Sequence, residues 1–340
     1  MKKNSFDIIV PCYNTNIIFF RRCVNSVISQ NYENYRLIIV NDGSKDFTID
    51  DYVKELNNPH ILYIRTPNRG SGAARNTGLE NLVSDYFMFL DSDDELVSNC
   101  LEEINLFIND NNPQIIQFGF YSISPSSKTT HVGSKHSLNK EDILNYDNEI
   151  ARNWINSSVW NKCFCSKTFS KFRFSPNLTL GEDRVFLLNV FLDDSFSGLK
   201  LLNKPLYCYY INENSLSRTL NNKSISKILY YFSEFLSIIN RHQSERELNI
   251  YLSSLCEDIL NITNYYIVSN KTARLSKNKS LVSFIENKCI VNIVSISNTT
   301  NLNFKQRIAW FLFKKHLFLI YYLIFIVLKN LKNKLFWWFF

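Results

Sequence analysis

Three signatures of common protein classes are missing from this sequence of 340 residues. No G-x-x-x-x-G-K-[ST] motif occurs, which excludes a P-loop nucleotide site. The eight cysteines lack the paired spacing of a zinc site, because only Cys163 and Cys165 lie close together. The uninterrupted apolar run Leu317–Leu328 has 12 residues, which is short of the ~20 that a membrane-spanning helix needs.

Acidic residues are absent from the end of the chain. Residues 287–340 contain eight Lys or Arg and no Asp or Glu. The rest of the chain keeps 30 of the 38 basic residues against 31 acidic ones, so the net charge of +7 belongs to this segment. A basic excess in an apolar tail argues against nucleic-acid binding. The first 14 residues hold too short an apolar run for a signal peptide, and we expect a reduced, cytoplasmic protein.

Short apolar strands alternate with helical patterns through the first ninety residues. The patterns predict strands at 7–10, 36–40, 61–64 and 86–90, and helices at 19–30 and about 71–82. This alternation predicts βαβ units and a mostly parallel sheet. Three of the strands end in polar, carboxylate or glycine turns, so one edge of the sheet is expected to gather the chemistry.

The fourth strand runs directly into a cluster of acids. Asp91, Asp93, Asp94 and Glu95 place four carboxylates within five residues. Carboxylates this close repel one another at neutral pH, so a positive group should offset them. A divalent ion such as Mg²⁺ takes oxygen ligands and often bridges a carboxylate to phosphates. An ordinary charged turn between a strand and a helix is the alternative.

The glycine turn after the third strand superficially matches a dinucleotide fingerprint. Gly70-Ser71-Gly72 opens the following helix, but the third glycine of the fingerprint would fall at Arg75. The turn also follows the third strand and not the first, which disfavours a dinucleotide site.

Two further acidic positions each allow two interpretations. Asp42, at the end of the second strand, can cap an Asp-Gly turn or bind a ribose or a base. Glu182 and Asp183 come just before a helix predicted at 184–192, where acids in the first turn are also common caps.

Beyond residue 117 the pattern is less regular. Residues 122–136 are typical of a loop or weak hairpin, and residues 153–164 and 206–211 of aromatic strands. Residues 224–260 have helical periodicity and predict an appended helical region.

Six short motifs in order resemble those of the family 2 glycosyltransferases, nucleotide-sugar-dependent enzymes of the GT-A fold. They span about residues 5–218: Ile9-Val10-Pro11-Cys12-Tyr13-Asn14, Val40-Asn41-Asp42-Gly43-Ser44, Asn68-Arg69-Gly70 with Ala74-Arg75-Asn76, Leu90-Asp91-Ser92-Asp93-Asp94, Trp160-Asn161-Lys162 and Gly181-Glu182-Asp183. The resemblance implies an α/β GT-A fold, Rossmann-like with a mostly parallel central sheet, and the chain adds a helical, membrane-associating C-terminal extension. The expected parts are a domain at 1–218, with a nucleotide-binding half at 1–118 and an acceptor-binding half at 119–218, a helical extension at 219–303 and a tail at 304–340.

The resemblance assigns a metal and a catalytic base. Asp91-Ser92-Asp93 matches the D-x-D motif, with Asp93 and Asp91 as ligands of Mn²⁺ or Mg²⁺ and Asp91 near the ribose of the donor. Asp183 matches the catalytic base, with Glu182 beside it.

The resemblance also assigns residues that contact the nucleotide-sugar. The residues implied are Pro11 and Tyr13 against the base, Asp42 on the uracil or ribose, Asn68 and Gly70 in the glycine turn, Arg75 supporting the pocket, Ser92 in the D-x-D turn and Arg218 on the diphosphate. The commoner pattern has two acids in the second-strand turn, where this chain has Asn41.

The implied activity is an inverting transfer of one sugar from a nucleotide-sugar, by default a UDP-hexose or UDP-N-acetylhexosamine. The acceptor would be a glycan or lipid-linked glycan, as in bacterial surface-polysaccharide synthesis. Processive synthases carry a Q-x-x-R-W signature and several membrane spans, which this sequence lacks. Alternatives are a retaining or hydrolytic enzyme with two facing carboxylates, and a catalytically silent nucleotide- or glycan-binding module or membrane scaffold.

The tail combines basic and aromatic residues around its apolar run. This composition suits a helix that lies in the interface of an anionic membrane. We therefore expect peripheral attachment to the inner face of the cell membrane, where a lipid-linked acceptor would be found. A helix packed on the domain, or a dimer interface, is the alternative.

Overall fold

The computed structural model describes residues 2–133, 137–140, 143, 158–211, 225–241 and 259. The chain divides into two compact units, Met1–Thr219 and Leu220–Phe340. Arg218, the first part of the aromatic segment expected at 153–164, most of the helical extension and the whole tail lie outside the described residues.

Strands and helices alternate along the first unit. In order they are β1 (Phe6–Cys12), α1 (Ile17–Ile28), β2 (Tyr35–Asn41), α2 (Thr48–Leu56), β3 (Ile61–Arg65), α3 (Ser71–Glu80), β4 (Tyr86–Phe89), β5 (Glu95–Leu96), α4 (Cys100–Asn111), β6 (Ile115–Ser124), β7 (Ser127–His131), β8 (Ser137–Asn139), β9 (Lys162–Cys165), α5 (Ser166–Phe169), α6 (Glu182–Leu192) and β10 (Gly198–Tyr210). In the second unit, α7 (Ile225–Arg241) falls within the predicted helical region.

A single twisted sheet contains all of these strands. Its order is β3-β2-β1-β4-β9-β6-β10-β5, with β7 beside β6 and β8 beside β10. The strands β3, β2, β1 and β4 are parallel, as predicted, and so are β6 and β10. The strand β9 enters antiparallel between β4 and β6 and joins the two halves of the sheet.

The two faces of the sheet carry separate apolar cores. Successive side chains of a strand point to opposite faces, so Ile8 and Val10 of β1 join one core and Ile9 joins the other. Helices α1, α2 and α4 cover the first face, and α3, α5 and α6 cover the second. Because both faces are buried, the central strands are nearly continuous apolar runs.

Helix α3 approaches the sheet unusually closely. A Cβ atom at Gly78 would lie 2.4 Å from Cγ2 of Ile9, so only glycine fits there without a shift of the backbone or of Ile9. This close packing fixes the middle of α3, and with it Arg75, near the carboxyl ends of the parallel strands.

Three predictions about the second half of the first unit have different outcomes. The weak hairpin is confirmed as β6 and β7. Residues 158–161 form a turn and not the expected strand, since the Lys162 N–H donates to the Val159 carbonyl at 3.2 Å. The strand expected at 206–211 is longer and begins at Gly198.

No helix among the described residues is long and apolar enough to cross a membrane.

Candidate active site

Two acids of the cluster after β4 are committed to the fold. Asp94 is buried, and its carboxylate accepts hydrogen bonds from the Tyr207 hydroxyl and the Tyr210 backbone N–H, both at 2.8 Å. Burial, reinforced by neighbouring carboxylates, raises the pKa of Asp94 to about 8. Glu95 pairs with Arg22 at 2.6 Å. The protein itself therefore supplies part of the positive charge expected beside the cluster.

Asp93 has a different environment. Its side chain is half-buried, and no other side chain among the described residues donates a hydrogen bond to its carboxylate. Arg22 binds the backbone carbonyl of Asp93 at 2.6 Å and not its side chain. Burial, together with the nearby Asp91, raises the pKa of Asp93. This carboxylate is therefore available to a group from outside the protein.

Asp93 and Asp91 fit a divalent ion that takes its other ligands from a diphosphate. Mg²⁺ is commonly held by one or two carboxylates together with substrate phosphates, and not by a cage of protein ligands. In the described part of the chain, no group of three or more His, Cys, Asp or Glu side chains could hold a metal ion. Two carboxylates alone could hold an ion only if substrate phosphates complete its ligands.

Arg75 is a buried cation that joins three carboxylates. Its Nη1 lies 3.0 Å from Oδ1 of Asp183 and 3.4 Å from Oε1 of Glu182, and its Nη2 lies 3.0 Å from Oδ1 of Asp91. Burial by itself lowers the pKa of Arg75, but the three carboxylates outweigh it and the pKa is raised. Arg75 thus brings together acids that lie about 90 residues apart in the chain.

Asp183 is held at the start of α6 with its carboxylate turned toward Arg75. Gly181, with φ of +72°, makes the sharp turn before the helix and provides no side-chain cap. The other carboxylate oxygen of Asp183 accepts a hydrogen bond from the Val159 N–H at 3.3 Å. Burial raises the pKa of Asp183, Arg75 opposes the rise, and Glu182 adds to it. Burial, together with the neighbouring carboxylates, outweighs the effect of Arg75, so the pKa of Asp183 is raised, as suits a general base near neutral pH.

A buried basic side chain, that of Lys162, shapes the turn beside Asp183. Its Nζ donates to the Ser158 carbonyl at 2.8 Å and to Oδ1 of Asn161 at 3.0 Å. Burial lowers the pKa of Lys162 to about 7, although the charge of Asp183 opposes that shift. Lys162 therefore stabilises the turn that presents the Val159 N–H to Asp183. Lys162 belongs to one of the six motifs, but the sequence pattern predicted no role for it.

Asp42 fixes the glycine turn. Its two carboxylate oxygens accept hydrogen bonds from the N–H groups of Arg69 at 2.9 Å and Gly70 at 2.7 Å. Gly43 has φ of +70°, and a Cβ atom there would lie 2.7 Å from the Asn68 nitrogen. In this arrangement Asp42 positions Asn68 and Gly70, and its contact with a nucleotide stays a prediction.

Asn41 replaces an acid at a position where an amide is needed. It is buried, its Oδ1 accepts from the Ser44 N–H at 2.9 Å, and its Nδ2 donates to the Tyr63 hydroxyl at 2.8 Å. A carboxylate could accept but could not donate. The departure from the commoner pattern therefore serves the packing of the second-strand turn.

The turn after β1 meets the other two turns at the same edge of the sheet. Pro11 pairs with Val40 in the sheet, and the exposed Tyr13 follows. The Thr15 hydroxyl lies 2.7 Å from the Ser92 hydroxyl, which ties this turn to the acidic cluster. The structure thus gathers Pro11, Tyr13 and Ser92 at one edge, as predicted from the strand ends.

Asn76 makes a contact that sequence reasoning did not find. Its side chain donates to the Phe174 carbonyl at 2.9 Å and accepts from the Phe174 N–H at 2.7 Å. The Phe174 ring in turn lies 5.4 Å from the Arg75 guanidinium. Asn76 therefore holds the Phe174 ring next to the buried Arg75. Its position directly after Arg75 in the motif was the available signal.

Residues 7–175 match the model of a family described as Glycosyl transferase family 2. The glycosyltransferase GlyA of Streptococcus pneumoniae is 30% identical over 260 residues, which are 73% of this chain and 37% of that protein. The uncharacterized glycosyltransferase EpsJ of Bacillus subtilis is 29% identical over 222 residues, 62% of each chain. The matched residues span less than two thirds of either relative. Through this domain, the chain belongs to glycosyl transferase family 2.

Solved structures show the same fold. Crystal structures of S. aureus TarS 1–349, alone and in complex with UDP-GlcNAc, superpose with a TM-score of 0.67 at 17% and 16% identity. Each match covers 99% of this chain and 94% of the TarS chain. The prediction of an α/β fold of the GT-A type is confirmed.

Proposed function

We propose that the protein is an inverting, metal-dependent glycosyltransferase. It moves one sugar from a nucleotide-sugar to a hydroxyl group of a glycan or lipid-linked glycan. The observation that carries this proposal is the bridge formed by Arg75, whose guanidinium binds Asp183 on one side and Asp91 on the other. A candidate base and a candidate donor-binding carboxylate are thereby fixed on one buried group.

Asp183 can accept the proton that the acceptor hydroxyl loses. One of its oxygens binds Arg75 and the other the Val159 N–H, which leaves lone pairs free on a side chain that is 19% exposed. The acceptor oxygen forms a bond to the anomeric carbon, the bond from that carbon to the diphosphate breaks, and its electron pair leaves with the nucleotide. A positioned general base contributes roughly 10²–10⁴-fold to such a step.

Glu182 and Asp183 occupy the same first turn of α6 and bind the same guanidinium. A retaining glycosidase places two carboxylates on opposite faces of the sugar, about 5–5.5 Å apart. Because Glu182 and Asp183 are adjacent on one helix and do not come from facing elements, the arrangement supports a single displacement, which inverts the anomeric carbon.

Asp93, with Asp91, would hold Mn²⁺ or Mg²⁺. When bound, the ion supplies charge neutralisation for the leaving diphosphate. Within the described part of the chain, no other side chain donates a hydrogen bond to the half-buried Asp93 carboxylate, which supports this role.

The proposed donor is a UDP-hexose or UDP-N-acetylhexosamine. Support comes from the shared fold of S. aureus TarS, which was solved with UDP-GlcNAc. The residues proposed to contact the donor are Pro11, Tyr13, Asp42, Asn68, Gly70, Arg75, Asp91, Ser92 and Arg218.

A donor hydrolysis screen tests this function. Purified protein is incubated with UDP-, GDP- and dTDP-sugars and Mn²⁺, and released nucleotide is measured. We expect slow release from one donor, loss of release in Asp93→Ala, and a fall of roughly 10²-fold or more in Asp183→Asn. Glu182→Gln is the matched control, since it changes the neighbouring acid. Normal turnover in Asp183→Asn with loss in Glu182→Gln would assign the base to Glu182.

The proposed place of action is the inner face of the cell membrane, reached through the tail at 304–340. The tail contains seven Lys or Arg and no acid, which supports attraction to an anionic surface. Sedimentation with vesicles of anionic or neutral lipids tests this, using the full chain and a truncation at residue 303. We expect binding to anionic vesicles by the full chain only. Equal sedimentation of both proteins would contradict it.

A further inference from the structure

Four aromatic side chains form a half-buried surface that has no part in the chemistry described above. They are Phe120, His131, Trp160 and Tyr209, and all four keep partial exposure to solvent. We refer to these four residues as the aromatic platform. Beneath it lies Tyr207, which is fully buried.

The platform is built by the register of the sheet. Phe120 of β6 is paired with His131 of β7 on one side and with Tyr207 of β10 on the other, so these side chains share one face. The His131 ring stacks on Phe120 with 4.4 Å between centroids. Trp160 stacks 4.5 Å from Tyr207 and 5.6 Å from Tyr209, and its plane is within 4° of the Tyr209 plane.

The platform lies next to both halves of the candidate active site. Trp160 directly follows Val159, whose N–H binds the Asp183 carboxylate, and adjacent Cα atoms are about 3.8 Å apart. The Tyr207 hydroxyl accepts a hydrogen bond from the Asp91 N–H at 3.2 Å. Its donated bond to Asp94 then ties the platform to the turn that carries Asp93.

The chemistry of the platform matches a sugar ring. One face of a pyranose presents C–H groups, which pack on aromatic rings, while its hydroxyls need hydrogen-bonding partners at the rim. Such partners are present, because Nε2 of His131 and the Ser122 hydroxyl lie 2.8 Å apart at the edge of the platform. Aromatic side chains left partly exposed together commonly mark a binding surface.

We propose that the aromatic platform binds the pyranose ring of the acceptor and directs one of its hydroxyls to Asp183. This inference rests on the proposed function and adds the class and place of the second substrate. Trp160 is the platform residue nearest in the chain to the proposed base, because the N–H of the preceding Val159 binds Asp183. Phe120 and His131 set the position of the indole and of the polar rim.

Saturation-transfer NMR with methyl pyranosides tests the platform without knowledge of the natural acceptor. The full chain is mixed with methyl glucoside, galactoside, mannoside and N-acetylglucosaminide, with and without UDP and Mn²⁺. We expect binding of at least one glycoside to the wild type. Its Kd should rise about tenfold or more in Trp160→Ala and in Phe120→Ala, and less in Trp160→Phe, which keeps a ring.

Tyr121→Ala is the matched control. Tyr121 follows Phe120 on β6, so its ring points to the opposite face of the sheet, where it contacts Lys128. The glycoside Kd should stay within about twofold of wild type in this variant. Circular dichroism and UDP affinity establish that each variant is folded, and the second platform variant keeps the test valid if one fails to fold.

The inference is overturned if no methyl pyranoside binds the wild type, or if binding persists in both platform variants. It is also overturned if Trp160→Ala weakens UDP-GlcNAc but neither UDP nor the glycosides, since the platform would then hold the donor sugar. Failure of the proposed function looks different, because UDP itself would then not bind the wild type while glycoside binding could still be measured.

Discussion

Replacement of Arg75 by methionine should show how much one guanidinium contributes to stability by pairing with the active-site acids. Methionine fills a similar volume but removes the charge that Asp91, Glu182 and Asp183 share. Breaking a buried pair by removing one partner costs about 3–5 kcal/mol, because the remaining charge is left uncompensated. We expect a loss of that order in the free energy of unfolding at pH 8.

The loss should shrink in acid. In the folded protein the pKa of Asp183 is raised above its unfolded value of about 3.9. The folded state therefore binds this proton more tightly, and stability falls as pH rises through the window between the two values. Without Arg75 the folded pKa rises further, which widens the window. Each pH unit crossed inside the widened part of the window is about 1.4 kcal/mol, so the loss at pH 5 should be smaller by up to about that amount.

Urea unfolding at pH 5 and pH 8, followed by circular dichroism, measures the loss in the free energy of unfolding at each pH. Asp94 titrates in the wild type and in the variant alike, so the difference between the two proteins isolates the Arg75 cluster. Lys171→Met is the matched control, since it removes a cation from the exposed pair with Asp193, where such pairs contribute little. An equal loss in Arg75→Met at both pH values, or a loss no larger than in the control, would refute the reasoning.

Three further predictions concern the fold, the glycine turn and the base. Gly78→Ala should lower stability by about 1–3 kcal/mol in thermal unfolding, because the new methyl group meets Ile9. Asp42→Asn should weaken UDP binding about tenfold in calorimetry. The amide nitrogen cannot accept a hydrogen bond from the Gly70 N–H, so the glycine turn loses one of its two bonds to this side chain. The transfer rate should fall as pH drops through the raised pKa of Asp183, so an acidic limb at the ordinary carboxyl value in a pH–rate profile would contradict the assigned base.

The first four strands could be predicted because each is a short, nearly continuous apolar run. Parallel strands covered on both faces require this pattern. The strand β10 was predicted only from residue 206 because Asn203, Lys204 and Pro205 interrupt its apolar pattern. The structure accommodates them with shifts in register against β6. Proline and polar residues are tolerated there as an irregularity in the ladder.

The acidic cluster could be located from the sequence but not divided into roles. Asp93 and Asp94 are adjacent and chemically identical. Asp94 has a structural role because the Tyr207 hydroxyl, 113 residues away, and the Tyr210 N–H, 116 residues away, donate to it. The bridge from Arg75 to Asp183 likewise spans 108 residues. Contacts of this range depend on how strands and helices assemble, which local patterns do not encode.

Calorimetric titration with UDP, with and without Mn²⁺, tests the central claim most directly. Wild-type protein should bind UDP at least about tenfold more tightly with Mn²⁺, and Asp93→Asn should lose that gain while staying folded. Asp110→Asn, which neutralises an exposed acid on α4, should bind as the wild type does. UDP binding that is the same with and without Mn²⁺, and the same in Asp93→Asn, would contradict a metal-assisted nucleotide site at this edge of the sheet.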